Sequence, residues 1–204
     1  MTAKRTVIQH SGLSNGIMGD MPSMPSVKIP LWRRLSICGL AELEGRLTPD
    51  TTAVVSLLDP GYETPDILGR IPQRHRFSFF DVIDPSLAMA PTPEDVTRLI
   101  EVGTSLDDDG HVLVHCHAGM SRSTASALLF MVLHGASPQD AVEHLMQVRF
   151  PCWPNSLLVR MADEQLDLGG TLVAASRTVY RRMQQERPDY VAQLATTSRA
   201  AEIP

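Results

Sequence analysis

Apolar residues recur along this chain in two rhythms, and each rhythm predicts a kind of element. Short, nearly continuous runs rich in β-branched residues, Ala53-Val54-Val55-Ser56-Leu57-Leu58 and His111-Val112-Leu113-Val114-His115, read as buried central strands. Phe77 and Phe79 alternate with polar neighbours as a half-buried strand does. Val27 to Ile37 alternates weakly, as an opening edge strand would. Apolar positions three and four apart predict helices over Thr92 to Leu106, Ser121 to His134, Ala141 to Val148, Ser156 to about Leu168 and Thr171 to Gln185. Shorter helical stretches are expected over Gly39 to Leu47 and Pro65 to Leu68. Thr92-Pro93-Glu94-Asp95 and Ser137-Pro138-Gln139-Asp140 are helix starts, each with a hydroxyl cap, a proline and an acid in the first turn, and Gly135 is a stop. Strands alternating with helices predict an α/β fold: a central, mostly parallel sheet flanked by helices on both faces.

Composition narrows the class. The chain has 204 residues, 43% hydrophobic and 20% charged, enough for one globular domain with a real core and some extra length. Residues 1–26, rich in Ser, Gly, Met and Pro, are expected to be a flexible arm; residues 27–168 form the main domain and 169–204 a C-terminal helical extension with a frayed tail. A formal net charge of −5 argues against non-specific attachment to nucleic acid or to an acidic membrane. Cys38, Cys116 and Cys152 make neither a disulfide framework nor a CxxC zinc pair, no apolar run is long enough to span a bilayer, and the first thirty residues lack a secretory core. A reducing cytoplasm is the expected location.

The candidate chemistry sits where the second apolar strand ends, in His115-Cys116-His117-Ala118-Gly119-Met120-Ser121-Arg122-Ser123. A loop that curls between a strand and a helix aims its backbone N–H groups, and the helix N-terminus, at a common point. His117, Ala118, Gly119, Met120, Ser121 and Arg122 would surround a phosphate there, and Arg122 would grip two of its oxygens. The same field is expected to hold Cys116 as a thiolate and therefore as a nucleophile. Gly119 permits a backbone turn or a close approach that a side chain would hinder. A carboxylic acid on an opposing loop would protonate the departing oxygen. Asp81, at the end of the Phe77 strand, is the first candidate and Asp84 the alternative. Adjacent residues on a strand point to opposite faces, so His115-Cys116-His117 is a poor metal site. Asp107-Asp108-Asp109 lacks the ligand spacing of a calcium loop and reads as a solvated turn. No metal or organic cofactor is expected.

His115, Cys116, Gly119, Arg122 and Ser123 fill every fixed position of His-Cys-x-x-Gly-x-x-Arg-Ser/Thr, and here the chain resembles the cysteine-dependent protein tyrosine phosphatase superfamily, dual-specificity branch. The resemblance covers roughly residues 30 to 168. It implies hydrolysis of a phosphomonoester on a phosphorylated protein through a phosphocysteine on Cys116. It also implies that His115 supports the loop, that Ser123 assists departure of the thiolate, and that an aspartate some thirty residues before the cysteine is the general acid. Arg149, Pro154 and Asn155 match a further pattern of the family, an arginine at a helix end and a Pro-Asn helix start. Leu157, Leu158 and Val159 depart from it, since many members place an aromatic there, and no glutamine stands where a water-positioning group would. A phosphoinositide or inositol-phosphate phosphatase, a non-catalytic phospho-binding module and a sulfurtransferase are the competing functions. Cys152 is read as a packed loop cysteine in preference to a disulfide partner of Cys116. Arg177, Arg181 and Arg182 are read as a solvated face in preference to a docking surface for an acidic partner.

Overall fold

A computed structural model describes residues 30–106 and 109–204. The arm over 1–26, the first residues of the expected edge strand, and Asp107 and Asp108 lie outside them. Among the described residues four strands, β1 (Leu35–Gly39), β2 (Thr51–Leu58), β3 (Gln73–Ser78) and β4 (His111–Cys116), pair in the order β1-β4-β2-β3, every neighbour parallel. The two strongest apolar runs therefore occupy the two central positions, where both faces of a strand must be covered. The described residues also form seven helices: α1 (Leu43–Arg46), α2 (Pro93–Ser105), α3 (Arg122–Leu133), α4 (Pro138–Val148), α5 (Ser156–Gln165), α6 (Thr171–Glu186) and α7 (Pro188–Leu194).

The two faces are covered unequally. Pleating sends Val112, Val114 and Cys116 of β4 into a large core shared with α2 to α7, while Leu113 points the other way with Cys38 and Val54. Among the described residues that second face is closed by α1 and its flanks and by a 3-10 turn, Asp66–Arg70, through Leu40, Leu43, Leu47, Leu68 and Ile71. On the thick side α3 is enclosed on nearly every side, from Arg122 to Met131. Helix α2 lies close enough to it that a Cβ on Gly103 would stand 2.6 Å from Phe130 Cδ1.

The predicted caps form as written. Thr92 and Asp95 make a reciprocal capping box at α2, and Ser137 accepts from the Asp140 N–H at α4. The short helical stretches form a 3-10 turn, Leu40–Glu42, running into α1, and a second, Asp66–Arg70, while within the expected edge strand Leu31–Arg34 is a 3-10 turn and the strand itself runs from Leu35 to Gly39. The expectation of a frayed tail is overturned. After α7 the chain makes a 3-10 turn, Ser198–Glu202, and buries Arg199 and Glu202, because the two charges pair with each other and with groups under the sheet's carboxyl edge. The helical extension shares the main core through Leu172, Val179, Tyr180 and Met183.

Because Leu128 on α3 is fully buried, Leu128→Ala should cost about 2–5 kcal/mol of unfolding free energy, read by chemical denaturation.

Candidate active site

Cys116 is the last residue of β4, a central strand, and α3 begins at Arg122, so the loop from His117 to Ser121 crosses the carboxyl edge of the sheet. Each of its carbonyls is held from outside. The His117 carbonyl accepts from Leu40 N–H (2.9 Å), Met120 from Trp153 N–H (2.8 Å), and Ser121 from the N–H groups of Ala125 (3.0 Å) and Asn155 (3.3 Å). Arg149, at the end of α4, donates through Nη2 to the Ala118 carbonyl (2.9 Å) and through Nε to that of Gly119 (2.8 Å). Its Nη1 is fixed by Glu42 Oε1 at 2.7 Å, and Glu42 is anchored in turn by the Gly39 N–H at 2.7 Å. Carbonyls tied outward leave the N–H groups to converge inward.

Gly119 has φ +70°, and a Cβ there would stand 2.4 Å from backbone atoms of Cys38 and Gly39. Both reasons for a glycine, the left-handed backbone and the close approach, hold at this one residue.

Inside the cradle Cys116 Sγ lies 3.2 Å from the Gly119 N–H and 3.2 Å from Ser123 Oγ. The Gly119 N–H donates to the sulfur, and the Ser123 hydroxyl shares a hydrogen bond with it. Burial pushes the thiols of Cys38 and Cys152 up to about 12, and both are free. Arg122 is 3% exposed. Its Nη1 donates to the Phe79 carbonyl (2.6 Å) and pairs with Asp59 Oδ1 (2.7 Å), while the buried Nε has no hydrogen-bond partner. A guanidinium fixed on one prong with a buried donor left over is built for an anion. Ser121, the residue before α3, makes no side-chain cap, because its hydroxyl turns to Asp81.

Asp81 therefore reaches the loop and Asp84 does not. Asp81 Oδ1 accepts from Ser121 Oγ (2.7 Å) and Asn155 Nδ2 (2.9 Å), and Oδ2 lies 3.4 Å from Arg199 Nη1. Asp84 is exposed and caps its own turn through the N–H and hydroxyl of Ser86, which hold its carboxyl below the usual range. Among the loop residues His117 faces sideways: its Nε2 accepts the Asp59 N–H (3.1 Å), and its ring meets Tyr62 edge-on at 4.7 Å. His115 stands on the opposite face of β4 from Cys116, fully buried, with Nε2 2.7 Å from Ser56 Oγ. Burial pushes its pKa down to about 4, so the ring is a neutral strut under the loop.

Asp59, Glu42 and Arg199 were missed in the sequence. Asp59 reads as part of an Asp-Pro-Gly turn, although its place after a central parallel strand was a signal, since ligands gather at that edge. Arg199 carries no signal; only the fold brings it to Ser121 Oγ at 2.7 Å.

No protein-family model matches this sequence, and no curated protein is similar to it. Solved structures are. PTPMT1 is 17% identical, with a TM-score of 0.46 over 68% of this chain and 95% of that one. The Yvh1 phosphatase domain from Chaetomium thermophilum is 17% identical, with a TM-score of 0.48 over 68% and 94%. Human DUSP28 is 22% identical, with a TM-score of 0.43 over 67% and 96%.

His115 generates a pH dependence. Its folded value, about 4, lies below the ordinary 6.5, so the unfolded chain takes up the proton first. Its contribution to stability is complete above pH 6.5 and declines as pH falls towards 4, by on the order of 3 kcal/mol in all. Denaturation of the wild type and His115→Asn across this window should show the steeper decline in the wild type.

Proposed function

We propose that this chain hydrolyses phosphomonoesters on proteins through a phosphocysteine intermediate. The observation that carries the reading is the loop itself: carbonyls tied outward from His117 to Ser121, the Gly119 N–H and the Ser123 hydroxyl both on the Cys116 sulfur, and a buried Arg122 Nε without a partner. Convergent amides and one guanidinium are what a transferring phosphoryl group requires, since catalysis of that transfer is mostly positioning and charge stabilisation.

In this reading Cys116 Sγ attacks phosphorus in line, the bond from phosphorus to the leaving oxygen breaks, and that oxygen takes a proton. Asp81 is the donor favoured over Asp84, because it alone touches the loop, and it must first release the hydrogen bonds of Ser121 and Asn155. Water then attacks phosphorus, inorganic phosphate leaves, and the thiolate is restored with the Ser123 hydroxyl 3.2 Å from it. Asp59 orients Arg122 through their 2.7 Å ion pair.

The substrate assignment rests on the rim. Tyr62 is 46% exposed beside His117, and Phe80 is 40% exposed next to the Phe79 carbonyl that holds Arg122. Exposed aromatic side chains suit the ring of a phosphotyrosine, and the loop carries no lysine for an inositol phosphate. Phosphotyrosine is therefore placed before phosphoserine and phosphothreonine, and inositol phosphates after them. No helix among the described residues is long and apolar enough to cross a membrane; the cytoplasm is proposed from the free, reduced cysteines.

Initial rates on an aryl phosphate, in reductant and without added metal, test the reading. Turnover should be abolished in Cys116→Ser. In Ser123→Ala it should fall by about 10- to 100-fold, the worth of one hydrogen bond to a charged group. No turnover by folded wild type would contradict hydrolysis. Phosphopeptide binding would then indicate a binding module, and persulfide formation from thiosulfate a sulfurtransferase.

A further inference from the structure

Between α5, α6 and the C-terminal segment lies a cavity of about 540 Å³ to which no residue of the Cys116 loop contributes. Arg160 enters it from α5, and Arg177 and Arg181 enter from consecutive turns of α6. Two of the three belong to the face that the sequence pattern marked as merely solvated. Their neighbour Arg182 is taken, by Glu186 and by the ring of Phe150. Arg160, Arg177 and Arg181 make no ion pair or hydrogen bond among the described residues.

The lining's carboxylates are engaged by other groups. Its one acidic side chain, Glu202, is fully occupied: Oε1 accepts from Ser156 N–H (2.8 Å) and Arg199 Nη2 (3.1 Å), and Oε2 from Trp153 Nε1 (2.8 Å) and Arg199 Nε (2.7 Å). The Pro204 oxygen accepts from Gln184 at 3.4 Å. Three exposed guanidiniums with no side-chain partner line one concavity and raise the positive potential within it, in a chain whose net charge is −5. A bound anion offsets that potential.

The arrangement also sets the kind of anion. Each guanidinium can grip two oxygens of a phosphate, and the three are presented from two helices, so an anion with several charged groups engages more of them than a single phosphate does. The volume lies within the range of small-molecule sites and is larger than a single phosphate needs. Val159, Val173 and Ile203 add apolar wall for an organic part. We propose that this cavity binds a small organic anion carrying two or more phosphate groups, at a site separate from the Cys116 loop.

Trp153 is placed to report it. Its ring stacks on Tyr180 at 4.6 Å and bonds Glu202, and both of those residues line the cavity. The probe is magnesium-free ATP, added to full-length Cys116→Ser protein that also carries Trp32→Phe, so that Trp153 is the sole tryptophan. The emission should change saturably, with a dissociation constant of about 1 mM or tighter, and the affinity should fall as salt is raised. In the same background, Arg177→Ala with Arg181→Ala should weaken ATP at least tenfold, about 1.4 kcal/mol. With Cys116 restored, that pair of substitutions should leave kcat and KM on an aryl phosphate at wild-type values. Equal affinity for ATP with and without the two arginines would place the nucleotide elsewhere, the Cys116 loop included, and overturn the proposal. Absence of saturable binding by both fluorescence and calorimetry would overturn it as well.

Discussion

Every backbone residue but proline carries both a donor and an acceptor, so a loop whose N–H groups converge must send its carbonyls outward and find partners for them there. That requirement organises this molecule. Beyond α3, the partners come from four places: Leu40 just past β1, Arg149 at the end of α4, Trp153 in the connection that follows, and Asn155 at the start of α5. Arg149 does most, since one planar side chain holds two consecutive carbonyls while Glu42 fixes its remaining prong. Without it the Ala118 and Gly119 carbonyls would be free to turn, and a carbonyl turned inward presents negative charge where the cradle presents positive. The elements around the loop act as its mould.

The pleat of β4 divides labour between the faces of the sheet. Cys116 faces the thick helical layer, where α3 starts beneath the loop; His115 faces the thin layer and bonds Ser56. A second support comes from the far end of the chain. Arg199 joins Ser121 Oγ and Asp81 on one side to Glu202 on the other, and Glu202 bonds the Trp153 indole and the first N–H of α5. Charges buried this deeply are tolerated because each has its partners. They tie the C-terminal turn to the same loop that Arg149 ties to α4.

What was legible in the sequence was local. The continuous apolar runs marked the central strands, Thr92 and Ser137 marked helix starts, and the spacing from His115 to Ser123 marked the cradle, because each depends on neighbours within a few residues. The contact of Asp81 with the loop, which Asp84 lacks, was also legible, from its place at a strand end. What was hidden depends on contacts between distant stretches. Asp59 meets Arg122, Glu42 meets Arg149, and Arg199 meets Ser121 only after the sheet has formed. The tail failed as an expectation for the same reason: its polar composition reads as solvent-exposed until Arg199 and Glu202 find each other under the sheet edge.

The central claim is that the loop from His117 to Arg122 is a preformed anion cradle. A crystal structure of Cys116→Ser with tungstate tests it most directly. The account predicts one tungstate in the loop, bonded to its N–H groups and to Arg122 Nε, with the Ala118 and Gly119 carbonyls still on Arg149. A tungstate absent from the loop, or bound only after those carbonyls had left Arg149, would contradict it.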